Sequence, residues 1–365
     1  MNFPRMAIEA EAPEELGIKI DYNLSEPGAL ELRLKDLDIS IPEDLVLSYV
    51  PHRGSPRLRS LIAESWNLDA EDILLTVAAT LALYIVNTSI LTKEDHVVAT
   101  RPNYPNSTEG AKAIGCEVTY IDLDYDSGFR MDLDRLAVAL RPNTKLISLI
   151  APHNPTGTTM TEGELRAVVD LARDRGCYVL VDETYAELMT ETRLPSAASL
   201  GDHVIGVSSM SKAYGVPGIR VGWIMSKNKD LRESFLAAKE QMCITISVVD
   251  EYVAEKVLDR RDVLLDRVRS EMSRRRAIVD DWIKSDELVA WVRPNEMSIG
   301  LVRVKKDPPG GMEGFHDRLL KNHSAYVGPA RWFGMVGPYF RLGFGWPTIP
   351  DLEKGLVAIS EALRG

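Results

Sequence analysis

Between residues 57 and 225, short uninterrupted apolar runs alternate with stretches of helical periodicity, and this alternation restricts the fold more than any other feature. The extended runs fall at 73–76, 96–100, 117–121, 145–150, 178–181, 203–208 and 221–225. Helical patterns occupy 57–66, 81–91 and 161–175, the last opened by Thr161-x-x-Glu164, a capping box in which each residue serves the other's backbone. A strand that is apolar at nearly every position, rather than at every second one, has both faces buried. With helices between such strands, the expectation is an α/β fold: a mostly parallel sheet covered by helices on both sides. After residue 225 the texture changes to long charged helices over 227–285. Shorter extended pieces follow at 288–292, 298–304 and 339–342, with a closing helix over 350–364. These predict a smaller α+β domain. At 365 residues the chain is long enough for two cores. The expected division is an N-terminal segment 1–45 joining the small domain, a large domain 46–250, a connecting helix 251–285 and a C-terminal small domain 286–365.

Charge and composition exclude several classes. A net charge of −11 argues against a nucleic-acid partner, which calls for a basic face. The one basic cluster, Arg274-Arg275-Arg276, is flanked by Glu271, Asp280 and Asp281 and reads as a solvated helix face. No apolar stretch approaches the roughly 20 residues of a membrane helix. The acidic start, residues 1–16, lacks the basic and apolar regions of a secretory signal, so a cytoplasmic protein is expected. Cys116, Cys177 and Cys243 are too scattered for a metal site, and the first two read as small buried hydrophobes.

Ligands of open α/β sheets gather beyond the carboxyl ends of the strands, and three polar groups fall there. Asp182 ends one strand and is followed by Glu183, Thr184 and Tyr185; Asn154 sits in the turn Ala151-Pro-His-Asn-Pro-Thr-Gly157 after another. Lys212 follows a third, in Ser208-Ser-Met-Ser-Lys-Ala-Tyr-Gly215, with Arg220 eight residues on. Each has a bland reading: a helix N-cap for Asp182, a plain turn for Asn154, a solvated loop lysine for Lys212. Together they suit one chemistry. A lysine amine forms a Schiff base with an aldehyde, while hydroxyls and a guanidinium hold a phosphate dianion. Pyridoxal 5′-phosphate is both aldehyde and phosphate ester. A carboxylate such as Asp182 keeps its ring nitrogen protonated, with Tyr185 and Asn154 placed for the phenolic oxygen.

The turn Asn154-Pro-Thr-Gly157, Asp182-x-x-Tyr185, Ser209-x-Ser211-Lys212 and Arg220 resemble, in order and spacing, the class I/II aminotransferases of fold type I. The resemblance spans essentially the whole chain. It implies an aspartate-aminotransferase-like fold, pyridoxal phosphate as cofactor, and exchange of an amino group between an L-amino acid and a 2-oxo acid. Lys212 would then be the Schiff-base lysine and α-proton base, with Asp182 and Tyr185 as its catalytic partners. Tyr104 matches the aromatic that stacks on the ring, and Ala78-Ala79-Thr80 the loop whose amides hold the phosphate beside Ser209 and Arg220. Arg341 matches the arginine that grips the substrate carboxylate, beside Asn154. Tyr49 resembles the tyrosine that reaches a partner subunit's phosphate, which implies a homodimer with shared sites.

The sequence departs from the family pattern in places. Ala78 stands where glycine is usual, His153 is uncommon before the asparagine, and residues 23–28 match the substrate-lid strand only loosely, so Gly28 is assigned no contact. Arg53, Trp332 and Trp346 are candidates for reading the side chain only by lying near matched positions. The stretches 211–223, 341–347 and 356–361 also resemble capreomycidine-synthase-like members, which implies an alternative: elimination or cyclisation on a modified amino acid. A cofactor-binding regulatory domain would need a winged helix ahead of Tyr49, and the retained lysine, aspartate and arginine favour catalysis.

Overall fold

The computed structural model describes residues 3–365. Its strands are β1 Tyr22–Asn23, β2 Ile73–Val77, β3 His96–Arg101, β4 Glu117–Asp122, β5 Thr144–Ile150, β6 Tyr178–Asp182 and β7 Val204–Ser209. They continue as β8 Val221–Met225, β9 Val289–Trp291, β10 Ile299–Val304, β11 Ala325–Tyr326, β12 Gly328–Pro329 and β13 Tyr339–Gly343. The helices before β8 are α1 Ala7–Ala10, α2 Pro13–Leu16, α3 Pro56–Trp66, α4 Ala78–Ile90, α5 Asn106–Ile114, α6 Leu133–Ala139 and α7 Glu162–Arg175. Beyond it come α8 Lys229–Met242, α9 Val248–Leu258, α10 Arg261–Ser285, α11 Gly311–His323 and α12 Ile349–Arg364.

Seven strands form the main sheet in the order β2-β8-β7-β6-β5-β3-β4. Successive residues of each strand serve opposite faces, which is why the runs are apolar throughout. Val97, Leu146 and Leu180 pack with Val86 of α4, Ala111 of α5 and Phe235 of α8. Val98, Ile147 and Val179 pack on the other side with Leu136 of α6 and Leu165 and Val168 of α7. The capping box of α7 forms as expected: Thr161 Oγ1 accepts from Glu164 N–H, and Glu164 accepts from Thr161 N–H at 2.7 Å.

One strand departs from the parallel pattern. β8 runs antiparallel to both β7 and β2. Its first residue therefore lies at the edge where β3, β5, β6 and β7 end, and β2 ends there too. Arg220, just before β8, and Ala78, just after β2, thus meet Lys212 at one edge of the sheet.

A four-stranded antiparallel sheet, β12-β13-β10-β9, packs against α10, α11 and α12 around Phe315, Phe340 and Phe344. The short pair of β1 with β11 ties the N-terminal segment to this sheet's side of the molecule. Arg275 corrects the expected solvated face of α10: it is buried and donates to the carbonyls of Gly345 and Pro347. Arg276 likewise donates to Asn295 O, while Arg274 stays exposed beside Glu271. Their acidic neighbours in sequence hide the fact that one side of α10 faces backbone carbonyls. Cys116 and Cys177 are buried thiols, as expected. Among the described residues, no helix is long and apolar enough to cross a membrane.

Candidate active site

At the carboxyl edge of the main sheet lies a cavity of about 560 Å³. Every residue expected to hold the cofactor or the substrate carboxylate lines it except Tyr49. Tyr49 is 79% exposed in a coil that carries Val46 and Leu47, also exposed, so it does not reach the cavity of its own chain.

One end of the cavity is built to take an anion. The first amides of α4, a helix of thirteen residues, have no partner inside the helix, so the N–H groups of Ala79 and Thr80 are available there. Ser209 and Ser211 at the end of β7 and the guanidinium of Arg220 line the same end. Ala78 N–H donates to Arg220 O at 3.0 Å, locking the helix start to the beginning of β8. Space is tight here: a Cβ on Gly222 would stand 2.4 Å from the Ala78 carbonyl carbon. The substitution of glycine by Ala78 has a visible cost. Its φ is +57°, in the left-handed region where an L side chain crowds the backbone by about 1 kcal/mol or more. Ala78→Gly is expected to raise stability by about 1 kcal/mol in urea unfolding, because glycine adopts this φ freely.

The middle of the cavity holds acceptors and donors suited to a protonated heteroaromatic ring. Asp182 is buried and caps no α-helix. Its Oδ1 accepts from Thr184 N–H at 3.0 Å and from Thr184 Oγ1–H at 2.5 Å, which leaves Oδ2 without a protein partner among the described residues. Burial pushes its carboxyl up from the ordinary value, and the two Thr184 bonds and the nearby Lys212 oppose the shift. Tyr185 is 3% exposed and its hydroxyl has no partner among the described residues, while Tyr104 accepts from Asn106 Nδ2 at 3.1 Å. Lys212 enters from the loop after β7. Burial lowers its pKa; Glu26 resists that shift, and Arg341 and Arg220 reinforce it. A lysine held below its usual pKa is a better amine nucleophile and base near neutrality.

Arg341, from β13, closes the other end. It is 2% exposed, donates from Nη2 to Ser25 O at 2.6 Å and from Nη1 to Asn154 Oδ1 at 3.1 Å, and lies 4.8 Å from the Phe333 ring centroid. Its Nε has no partner, and no carboxylate pairs with it among the described residues. A buried guanidinium without a counter-anion is suited to capture one from a ligand.

The sequence reading missed the N-terminal contribution. Glu9, Glu14, Ser25, Glu26 and Pro27 all line the cavity. Gly28 packs on Lys212, where a Cβ would come 3.6 Å from the lysine Cδ, and Ala29 N–H donates to Lys212 O at 3.1 Å. The only signal was the loose lid motif at 23–28. Among the side-chain-reading candidates, Trp332 lines the cavity. Arg53 instead pairs with Glu233, and Trp346 donates to Glu31. His153 bonds Thr156 Oγ1 at 2.8 Å, and burial pushes its pKa down to about 4, so it is a neutral brace for the turn.

The donor set fits pyridoxal phosphate. An anion cradle, a carboxylate with a free oxygen, an orphan tyrosine hydroxyl and an amine share one cavity with an unpaired guanidinium. Comparison with known proteins agrees. Residues 42–359 match the family model for aminotransferase class I and II. The chain is 28% identical over 360 residues to capreomycidine synthase of Streptomyces vinaceus, covering 94% of this chain and 87% of that protein. It is 26% identical over 311 residues to arginine–pyruvate transaminase of Pseudomonas aeruginosa, covering 81% and 77%. A crystal structure of a PLP-dependent aminotransferase from Streptococcus suis superposes with a TM-score of 0.91 at 31% identity, covering 100% of this chain and 98% of the other. The chain therefore belongs to the class I and II aminotransferase family, has the aspartate-aminotransferase-like fold, and is a pyridoxal-phosphate-dependent enzyme.

Proposed function

We propose that the protein is an aminotransferase that moves the amino group of an L-amino acid to a 2-oxo acid. The observation that carries this reading is the buried Arg341, free of any carboxylate partner among the described residues, in the cavity that holds the Lys212 amine. Bound pyridoxal phosphate supplies an aldehyde for that amine and a protonated ring that draws electron density from the substrate's α-carbon. The chain's own groups do the rest. Ala79 and Thr80 N–H, Ser209 and Arg220 would hold the phosphate, and Asp182 would hold the ring nitrogen's proton. Tyr185 and Asn154 would donate to the ring oxygen, and Tyr104 would flank the ring. Arg341 fixes the α-carboxylate through a pair of parallel N–H donors. The Lys212 amine would take the substrate's α-proton and return a proton to complete the transfer. A homodimer is part of this reading, supported by the exposed run Val46, Leu47 and Tyr49.

A second reading is elimination or cyclisation on a modified amino acid. It is favoured by the similarity to capreomycidine synthase across most of both chains. Both outcomes start from removal of the same proton, so the fold does not separate them. A panel of amino acids followed by visible absorbance of the bound cofactor does. Transamination predicts conversion to the pyridoxamine form with stoichiometric 2-oxo acid. Ammonia or a cyclic product, with the starting spectrum restored, would replace it with the second reading.

A further inference from the structure

Asp182, Lys212, Arg220 and Arg341 all have work in the reading above. The other charged side chains lining the cavity are Glu9, Glu14 and Glu26. All three are carboxylates, and all come from the first 26 residues rather than from the sheet edge. Glu26 follows the carbonyl that Arg341 grips; burial pushes its carboxyl up from the ordinary value, and the nearby Lys212 and Arg341 oppose that shift. It is half-buried, yet its carboxylate makes no hydrogen bond or ion pair among the described residues. Glu9 is exposed to the cavity from α1; it faces the Tyr104 hydroxyl, and its charge also reaches Lys212 and Arg341. The same cavity holds two buried groups without partners among the described residues, Arg341 Nε and the Tyr185 hydroxyl, so it is shaped for a ligand rather than closed on itself.

We infer that the substrate carries a cationic side chain, a guanidinium or an ammonium, read by Glu26 and Glu9. The inference rests on the reading that Arg341 takes the α-carboxylate and Lys212 the cofactor. Once both are engaged, the two cations that face Glu26 are occupied, and Glu26 is left facing the space a side chain enters. An acidic side chain would meet three carboxylates there and no unassigned cation. A neutral chain would leave Glu26 desolvated without a partner. A cationic one makes charge-assisted hydrogen bonds to both carboxylates, and a site built for such bonds discriminates strongly against analogues that lack the polar group.

The test uses the holoenzyme with L-arginine, L-lysine, L-norleucine and L-glutamate, following the cofactor spectrum. The expected result is a kcat/KM for arginine or lysine about 100-fold or more above that for norleucine. Glu26→Gln and Glu9→Gln should each lower it about 10-fold, mainly through KM, and leave norleucine almost unchanged. Glu9→Lys, a change on an exposed residue that folding tolerates, should shift preference toward glutamate. Calorimetry supplies a readout apart from turnover. L-argininic acid, which has a hydroxyl in place of the amine and so does not react, should bind more tightly than 2-hydroxyhexanoate in the wild type, by a margin that shrinks about 10-fold in Glu26→Gln. Norleucine or glutamate matching the cationic amino acids would overturn the inference, as would variants that slow every substrate equally. Either result leaves the general reading of the site intact. Failure of all four amino acids to change the spectrum would instead remove that reading.

Discussion

Lys212→Ala is expected to abolish turnover, with a loss of about 10⁵-fold or more, because it removes both the amine that engages the aldehyde and the base that takes the α-proton. The variant should still bind pyridoxal phosphate. The end of the cavity proposed to hold the phosphate is lined by Ala79, Thr80, Ser209 and Arg220, on α4 and beside β7 and β8, and none of these depends on the lysine. Visible absorbance should report bound but uncondensed cofactor. A small primary amine such as ethylamine should restore part of the activity, since only an amine is missing from an otherwise intact site. Lys212→Arg should stay inactive, because a guanidinium remains protonated and does not take the proton. Lys212→Ala activity within tenfold of wild type would sink the assignment.

Arg341→Met is expected to lower kcat/KM by about 10²- to 10³-fold, the effect of removing a buried charged donor to a ligand carboxylate. Most of the loss should fall on KM, since the carboxylate is held before and during the chemistry. Stability should respond differently. Breaking a buried ion pair strands the partner charge and typically costs about 3–5 kcal/mol. Arg341 has no anionic partner among the described residues; its bonds go to Ser25 O and Asn154 Oδ1. The change in unfolding free energy should therefore stay below about 2 kcal/mol. An unchanged KM for amino acids, or a collapse of the fold, would show that Arg341 is structural rather than a ligand anchor.

How much of this was legible beforehand depended on how local each signal was. The strands of the main sheet announce themselves by being apolar on both faces, and the Thr161–Glu164 capping box completes within four residues. Lys212, Asp182 and Asn154 are legible because each directly follows or ends a strand. Ala78 was marked as a departure from the usual glycine; its φ of +57° supplies the reason glycine is usual there. Glu9 and Glu26 gave little signal, since a carboxylate in an acidic N-terminal segment looks like any solvated one. Arg275 misled for the same reason in reverse: three arginines among acids on a helix look solvated, but the bonds of the middle one go to Gly345 and Pro347, seventy residues away or more.

The sequence by itself determined the class of fold, the cofactor chemistry and the residues at the strand ends. Apolar periodicity and short motifs act over a few residues, and the parallel topology then gathers the strand ends at one edge. Tertiary structure decided which distant segments complete the site. The antiparallel turn of β8 brings Arg220 to Ala78, and β13 carries Arg341 under the N-terminal segment, where Ser25 holds it. That packing also hangs Glu9 and Glu26 over the cavity. Such pairings span as many as 316 residues. They are fixed by burial and by the need of each buried polar group for a partner, conditions that apply only once the chain has folded.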